Sequence, residues 1–333
     1  MIVRLLDKAY MGDARALWKE AFADSDAFID WYFKHKVLPG NSLGAFDEGG
    51  LVSMLHMIPY TIRLQGKAAR TMMIAGAATK RERRGEGHMR TLLLASLEEM
   101  RERGIFLTIL YPFKHSFYER FGWATVTRVH RGVVTEAPLR RDVEVIETDD
   151  YHALESIYSR MMRGYDGCVL RGSREWRWRM GELKADGGRA AVLVRDDIAV
   201  AYMLFYMQHA KAEVVETAYA DEEDIGALLS YILRQGCKRV NYALPTQSRG
   251  AKHGMARVVD AKALLRFLDA EALLKDIRLR DEFAPWNRIG EGPEGTETDI
   301  ASLAHIAYAG GGKISRKCTE LFVSRDTCIF EMF

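Results

Sequence analysis

Hydrophobic and polar positions along the first third of the chain predict strands and helices in alternation. Residues 1–6, MIVRLL, alternate as a strand does, and residues 10–22 carry apolar side chains at helical spacing. Residues 42–79 hold three apolar runs separated by DEGG and LQGK, which predicts three strands joined by turns. A charged loop containing glycines then leads into an amphipathic helix that Gly104 ends. With the short strand IFLTILYP, a helical turn and a further strand, the predicted order is β-α-β-β-β-α-β-α-β.

Two further blocks follow this first one. The segment APLRRD at 137–142 reads as a linker, and residues 151–244 repeat the element order of the first block without its glycine loop. A polar break, PTQSRGAKHG, precedes the third block. There the pattern predicts a strand, a helix capped by Asp260, a strand with a turn, a helix closed by Gly310 and a final apolar strand, CIFEMF.

Composition indicates an ordinary globular protein of two or three domains. The 333 residues are 48% hydrophobic and 28% charged, and a net charge of +2 creates no field that would recruit nucleic acid or an acidic membrane. No apolar run is long enough to span a bilayer, and the N-terminus is too charged for a signal peptide. Four scattered cysteines predict reduced thiols in a cytoplasmic protein. The histidines show no metal-ligand spacing, so no metal is expected.

One segment, SREWRWRMGEL, allows two interpretations. Its alternating tryptophans and arginines could stack on nucleic acid. Helical spacing favours the other interpretation, in which Trp176 and Met180 face inward and the arginines are solvated.

The segment RGEGHMR, residues 84–90, lies between a predicted strand and a predicted helix. The start of a helix has unpaired N–H groups and a partial positive charge, and glycines let the backbone approach a ligand closely. Together they can bind phosphate oxygens. The spacing fits neither common nucleotide-binding glycine motif, so a purely structural glycine turn stays open on this pattern alone.

In its context this loop resembles the pyrophosphate loop of the GNAT acyltransferases, Arg/Gln-x-x-Gly-x-Gly/Ala after a strand. Arg84 and Gly87 match that pattern, and Met89 stands where it has glycine or alanine. The resemblance implies acetyl-CoA as co-substrate, with its pyrophosphate on the loop and its pantetheine arm paired to the backbone of the strand end GAAT. The cofactor-binding residues expected on this basis are Ala77, Ala78, Thr79, Arg84, Gly85, Glu86, Gly87, His88, Met89, Arg90, Phe113 and Lys114.

A second motif makes the resemblance specific to one family of acetyltransferases. The turn YERFGW, residues 118–123, is similar to that of the enhanced intracellular survival (Eis-like) acetyltransferases, and RDEFAPWN resembles a recurrent turn of their third domain. This resemblance implies an α/β (α+β) fold of tandem GNAT-type mixed sheets flanked by helices, plus a sterol-carrier-like domain. The expected domains are a catalytic GNAT domain at 1–141, a degenerate GNAT-like domain at 142–250 and the sterol-carrier-like domain at 251–333. It also implies a homo-oligomer, possibly a hexamer.

Acetyl transfer to an amine needs a proton donor for the leaving thiolate and a base for the amine. A tyrosine suits the first task because its pKa of about 10 is close to that of an alkyl thiol. The resemblance gives this role to Tyr118 and gives the role of base to the α-carboxylate of Phe333. Two alternatives stay open: Tyr118 as a packed aromatic with a bonded hydroxyl, and the terminal carboxylate at the surface beside a packed Phe333.

For the acceptor, Asp24, Asp26 and Trp31 are candidate contacts to a cationic amine. The alternative is a solvated helix start capped by Asp24 or Ser25. The predicted function is acetyl-CoA-dependent transfer to a primary amine, either a small molecule (aminoglycoside-like or polyamine-type) or a peptide lysine. The competing hypothesis is a binding protein whose third domain holds an apolar ligand and whose acetyltransferase site is vestigial.

Overall fold

The structure is a computed structural model that describes residues 1–136, 144–246, 250–290, 295–309 and 326–328. In chain order its strands are β1 (Ile2–Leu5), β2 (Ser42–Asp47), β3 (Gly50–Leu64), β4 (Lys67–Thr79), β5 (Leu107–Leu110), β6 (Ala124–Thr125), β7 (Arg128–Val134), β8 (Glu144–Glu147), β9 (Tyr165–Asp166), β10 (Arg189–Arg195), β11 (Ile198–Gln208), β12 (Lys211–Tyr219), β13 (Arg239–Thr246), β14 (Ala251–Lys252), β15 (Met255–Val258), β16 (Ile277–Arg280), β17 (Arg288–Ile289), β18 (Thr296–Thr298) and β19 (Asp326–Thr327). Its α-helices are α1 (Met11–Ala21), α2 (Asp26–His35), α3 (His88–Glu102), α4 (His115–Glu119), α5 (His152–Met161), α6 (Ser173–Ala185), α7 (Asp224–Arg234), α8 (Ala261–Phe267) and α9 (Ile300–Ala309).

The first sheet has the strand order β1-β2-β3-β4-β5-β15-β6. All neighbours are antiparallel except β4 and β5. Helix α3 covers one face, where it buries Leu92, Leu93, Leu97 and Met100. Each such side chain stabilises the fold by about 1.5–3 kcal/mol when taken out of water. Helices α1 and α2 share the opposite face with α8 and α9.

The second sheet has the strand order β14-β7-β13-β12-β11-β10-β8, with α5 and α6 on one face and α7 on the other. The two sheets exchange strands. β7 directly follows β6 in sequence but joins the second sheet, and β15 returns from beyond the second sheet to lie between β5 and β6. The three domain boundaries expected from the sequence stay a prediction, and strands from either side of them share these sheets.

Both sheets contain one parallel pair that separates after three residues. β4 and β5 pair only at residues 72–74 and 108–110, while β12 and β13 pair only at 211–213 and 239–241. In the second sheet β19 lies in the opening, because it contacts β13 and Asp326 lies near Tyr219 at the end of β12. The equivalent opening in the first sheet holds the site described below.

The last described residues are anchored at the junction of the two sheets. β19 pairs with β9, and the N–H of Cys328 donates to the carbonyl of Asp166 over 2.9 Å. The hydroxyl of Thr327 donates to the carbonyl of Val126 over 2.8 Å. β16, β17 and β18 form a small separate sheet.

One local alternative is confirmed and one expectation needs correction. The acidic segment after α1 begins a separate helix, α2, and Ser25 is its N-cap, as one of the two interpretations of this segment expected: its hydroxyl accepts from the N–H of Phe28 over 3.1 Å. In α6, Trp176 and Met180 do face inward, but Arg179 is buried in ion pairs rather than solvated. The predicted helix end at Gly310 and the chain end at Phe333 lie outside the described residues. None of the described helices is long and apolar enough to cross a membrane.

Candidate active site

A cavity of about 840 Å³ opens where β4 separates from β5. Its walls come from the end of α1, the end of β4, the loop before α3, the first turn of α3 and the region of α4. The lining residues are Ala21, Phe22, Ala77, Ala78, Thr79, Arg83, Arg84, Gly85, Gly87, His88, Met89, Arg90, Phe113, Phe117, Arg120 and Phe121.

The end of β4 presents one unpaired edge to this cavity. On its other edge it pairs with β3 as far as Thr79, but no described strand pairs with residues 75–79 on the side of β5. A shift of register at Gly76 turns this strand end, and Gly76 has a φ of +57°. A Cβ there would lie 2.4 Å from Trp18 and 2.6 Å from His56, so both the backbone conformation and the packing require glycine. The strand end therefore has N–H and C=O groups available to an extended ligand.

At its two glycines, the loop before α3 exposes backbone to the cavity. Gly85 and Gly87 have φ values of +89° and +86°, and no protein atom lies within 4 Å of where their Cβ atoms would stand. Gly87 is the N-cap of α3, so the first N–H groups of the helix have no intrahelical partner and its positive end faces the cavity. This geometry suits phosphate oxygens.

The loop is held in place by its own charged side chains. The guanidinium of Arg83 pairs with Asp47 in the β2–β3 turn and with both carboxylate oxygens of Glu86. Glu86 also lies 3.0 Å from Nε2 of His88, and Nε of Arg84 donates to the carbonyl of Thr79 over 3.2 Å. The loop is thereby fixed to the sheet before any ligand binds.

Charge distinguishes this loop from its counterpart before α7. Arg83, Arg84, Arg90 and Arg120 all line the first cavity. The corresponding segment at the start of α7, residues 221–224, is DEED, in which Asp224 pairs with Arg195. The three other carboxylates would repel phosphate, and β19 lies in the opening between β12 and β13.

Tyr118 lies in α4, beside the cavity wall. Its ring packs edge-on against Phe117 and Phe113, with centroids 5.1 and 5.7 Å away, and both of those residues line the cavity. Tyr118 is 3% exposed, and burial raises the pKa of its hydroxyl above the ordinary value. It is therefore protonated at neutral pH, as a proton donor must be.

The turn that carries Tyr118 is held by a residue from far along the chain. Arg257 in β15 is buried, and its Nε donates to the carbonyl of Phe121 over 2.7 Å. Its guanidinium also pairs with Asp281 over 2.6 Å. Gly122 has a φ of +80°, and a Cβ there would lie 2.6 Å from Ile300. Residues of the third block thus contact this turn and hold its conformation.

The predicted acceptor contacts lie near the α1 end of the cavity but do not line it. Asp24 accepts a hydrogen bond from Nε1 of Trp18 over 2.8 Å. Burial raises the pKa of Asp24, the Trp18 hydrogen bond opposes this, and the charge of Asp186 adds to it. Asp26 pairs with Lys19 at the surface, and Trp31 packs against α6.

The structure brings most of the expected cofactor residues together. Those that line the cavity are Ala77, Ala78, Thr79, Arg84, Gly85, Gly87, His88, Met89, Arg90 and Phe113. Glu86 and Lys114 do not, since Glu86 turns toward Arg83 and Lys114 precedes α4.

Six lining residues were not anticipated: Ala21, Phe22, Arg83, Phe117, Arg120 and Phe121. A signal for two of them exists, because Phe117 and Phe121 follow the expected Phe113 at intervals of four residues, as positions on one helical face do. In the described part of the chain, no three His, Cys, Asp or Glu side chains are grouped to hold a metal ion.

Comparison with known families identifies the first part of the chain. Residues 2–126 match the model of the acetyltransferase (GNAT) domain. The chain is an acyltransferase. No curated protein matches it significantly.

Solved structures share the fold over almost the whole chain. A probable N-acyltransferase from Enterococcus faecalis V583 is 14% identical with a TM-score of 0.75, and 98% of each chain is covered. A GCN5-related N-acetyltransferase from Anabaena variabilis ATCC 29413 is 14% identical with a TM-score of 0.76, and Eis1 from Mycobacterium abscessus is 16% identical with a TM-score of 0.69; each comparison covers 100% of both chains. At these identities the likeness concerns the fold.

Proposed function

We propose that the protein transfers an acetyl group from acetyl-CoA directly to a primary amine. The observation that carries this proposal is the cavity in which an unpaired strand edge and an unshielded helix start face the same space. An extended arm with amide groups suits the edge of residues 77–79, and a pyrophosphate suits the loop and the first turn of α3. Four lining arginines add the positive charge that such a ligand requires.

Tyr118 would act as the general acid. Its hydroxyl, protonated at neutral pH, would donate a proton to the departing thiolate. The burial that raises the pKa of Tyr118 makes this hydroxyl a weaker acid than a free tyrosine. The aromatic residues around it exclude water from this step. Arg257 would act only indirectly, through the turn that carries Tyr118.

The α-carboxylate of Phe333 is the proposed base. Thr327 is hydrogen-bonded to Val126, close to the turn that begins at Tyr118. Five residues follow the anchored Cys328, and a chain of that length could span roughly 17 Å when extended. We expect a peptide extension after Phe333 to slow transfer roughly 10²-fold or more while the melting temperature stays unchanged. Full activity of the extended chain would contradict this role.

The acceptor would be a cationic amine, either an aminoglycoside-like or polyamine-type molecule or a peptide lysine. Asp24, Asp26 and Trp31 remain the proposed contacts, the first two because carboxylates attract such a group. We also propose a three-part organisation with a sterol-carrier-like third domain, and assembly into a homo-oligomer.

Thiol release from acetyl-CoA tests the function directly. A panel of an aminoglycoside, a polyamine and a lysine peptide should include at least one acceptor that accelerates release, with one acetyl group gained per thiol by mass spectrometry. Acetyl-CoA alone should raise the melting temperature. If no amine is acetylated and the melting temperature does not change, the alternative of a binding protein with a vestigial site is favoured.

A further inference from the structure

Helix α6, which covers one face of the second sheet, contacts α2 at both ends of α2 and in its middle. At the start of α2, the hydroxyl of Ser25 donates to Asp186, which directly follows α6, over 2.9 Å. In the middle, Trp31 packs on Gly181 of α6 so closely that a Cβ on Gly181 would lie 2.5 Å from the indole Nε1. At the far end, Lys36 pairs with Glu182 over 3.2 Å.

The last of these contacts is fully buried. The side chains of Lys36 and Glu182 are 0% and 3% exposed, and Arg179 continues the pairing from Glu182 to Glu216 at the centre of the second sheet. A buried ion pair holds its partners firmly because separating them leaves a charge without compensation. Helix α2 is therefore tied to the second sheet rather than only to the first.

Aromatic contacts carry the position of α2 to the cavity. Tyr32 and Phe33 of α2 pack on Trp18, with ring centroids 4.6 and 5.7 Å from it. Trp18 packs in turn on Phe22, 4.7 Å away, and its Nε1 donates to Asp24. Phe22 lines the cavity, so a displacement of α2 moves this wall.

We propose that α6 of the second sheet positions the acceptor side of the cavity. The inference rests on the proposed function, in which the strand edge, the glycine loop and the α3 start hold acetyl-CoA. Two cavity walls then remain, the α4 region and the α1 end at Ala21 and Phe22. Since α4 carries the proposed acid Tyr118, the α1 end is the wall we assign to the amine. The second sheet, whose own opening contains β19 and an acidic loop, serves the first as a positioning element that sets acceptor affinity.

Gly181→Ala tests this contact, with Gly226→Ala as the matched control. Both are helical glycines, but a Cβ at Gly226 meets nothing within 4 Å. Gly181→Ala should raise KM for the amine roughly three- to tenfold while KM for acetyl-CoA stays unchanged, and Gly226→Ala should change neither. An equal rise in both KM values, or no rise in the amine KM, would overturn the proposal.

A second pair of variants avoids any risk of misfolding, because the Ser25–Asp186 contact is exposed. Asp186→Ala removes the acceptor of that hydrogen bond, whereas Asp186→Asn keeps an acceptor oxygen. Positioning predicts a higher amine KM for Asp186→Ala and a normal one for Asp186→Asn. A rise of the same size in both variants would mean that the charge of Asp186, and not its hydrogen bond to Ser25, sets the amine KM, which contradicts a positioning role for this residue.

Hydrogen exchange separates this proposal from the proposed function, because it needs no turnover. Amides of residues 22–29 should exchange faster in Gly181→Ala than in Gly226→Ala. If wild-type protein acetylates no amine, the proposed function fails and this comparison alone decides whether α6 positions the segment. Identical exchange in the two variants would overturn the positioning proposal.

Discussion

At the scale of single residues, the site depends on a few positions where backbone conformation and packing agree. Gly76 both turns the end of β4 and leaves room for Trp18 and His56. Gly85 and Gly87 expose the loop backbone to the cavity. Tyr118 is buried but borders the residues that line it. The spacing of glycines predicted the loop, but only the neighbours of Gly76 show why that position accepts no side chain.

Tyr118→Phe tests the proposed acid. Loss of the hydroxyl removes the proton donor but keeps the ring that packs on Phe113 and Phe117, so transfer should slow by roughly 10²–10⁴-fold. Acetyl-CoA should still raise the melting temperature as much as in wild type. Unchanged kcat would show that another group protonates the thiolate.

Gly76→Ala should destabilise the protein strongly, with Gly50→Ala as the control. Both have positive φ, at +57° and +98°, but only Gly76 has atoms within 4 Å of the added Cβ. Backbone strain alone costs about 1–2 kcal/mol, and the contact with Trp18 and His56 adds to it at Gly76. Urea unfolding should show a clearly larger loss for Gly76→Ala. Equal losses would mean that the strand end relaxes around the added methyl group.

At the scale of elements, buried ion pairs fix the position of α6, and the hydrophobic pattern of the helix does not predict them. In α6, Arg179 lies under the helix and bonds Glu216 over 2.9 Å, while Arg171 binds the same carboxylate through two contacts of 2.6 and 2.8 Å. Tyr202 donates a further hydrogen bond to it over 2.6 Å. Arg179 was expected in solvent because arginine on an amphipathic helix usually faces outward. Glu216, 37 residues away in sequence, reverses that expectation.

These buried groups predict how stability depends on pH. Burial alone would raise the pKa of Glu216, but Arg171 and Arg179 outweigh it and lower the pKa from 4.5 to about 2. Its contribution, about 3 kcal/mol, is therefore present above pH 4.5 and is lost as the pH falls toward 2. Burial lowers the pKa of His56 from 6.5 to about 3, so stability also falls from pH 6.5 downward.

Urea unfolding at several pH values can separate the two groups. Glu216→Gln should be less stable at pH 7 by about 3–5 kcal/mol, because two buried arginines lose the charge of a shared carboxylate. Its further loss below pH 4.5 should be smaller than in wild type, while the part due to His56 remains. A pH profile parallel to wild type below pH 4.5 would contradict the assignment to Glu216.

At the scale of the whole molecule, each of the two large sheets contains strands from more than one block of the sequence. β15, from beyond the second sheet, pairs with both β5 and β6 of the first. β7 leaves the first block for the second sheet. Arg257 in β15 holds the turn of Tyr118, and α6 holds α2. The candidate active-site cavity lies in the first sheet, but residues more than 100 positions away in sequence hold parts of its walls in place.

The strand exchange predicts that the first block does not fold alone. A fragment of residues 1–136 lacks β15 between β5 and β6 and leaves β7 without its partners, so it should show no cooperative unfolding transition. The full chain should unfold with coincident changes in both sheets. A fragment that unfolds cooperatively and gains stability from acetyl-CoA would contradict this dependence.

The sequence by itself determined local features: most of the element order, the glycine loop before α3, the N-cap at Asp260 and most of the residues that line the cavity. These follow from periodicity and backbone preferences that act over a few residues. Only the tertiary structure decided that β7 and β15 change sheets, that Arg179 is buried and that α2 lies on α6. Those outcomes depend on contacts between distant segments, and neither periodicity nor spacing encodes which distant partner a strand edge or a helix face will meet.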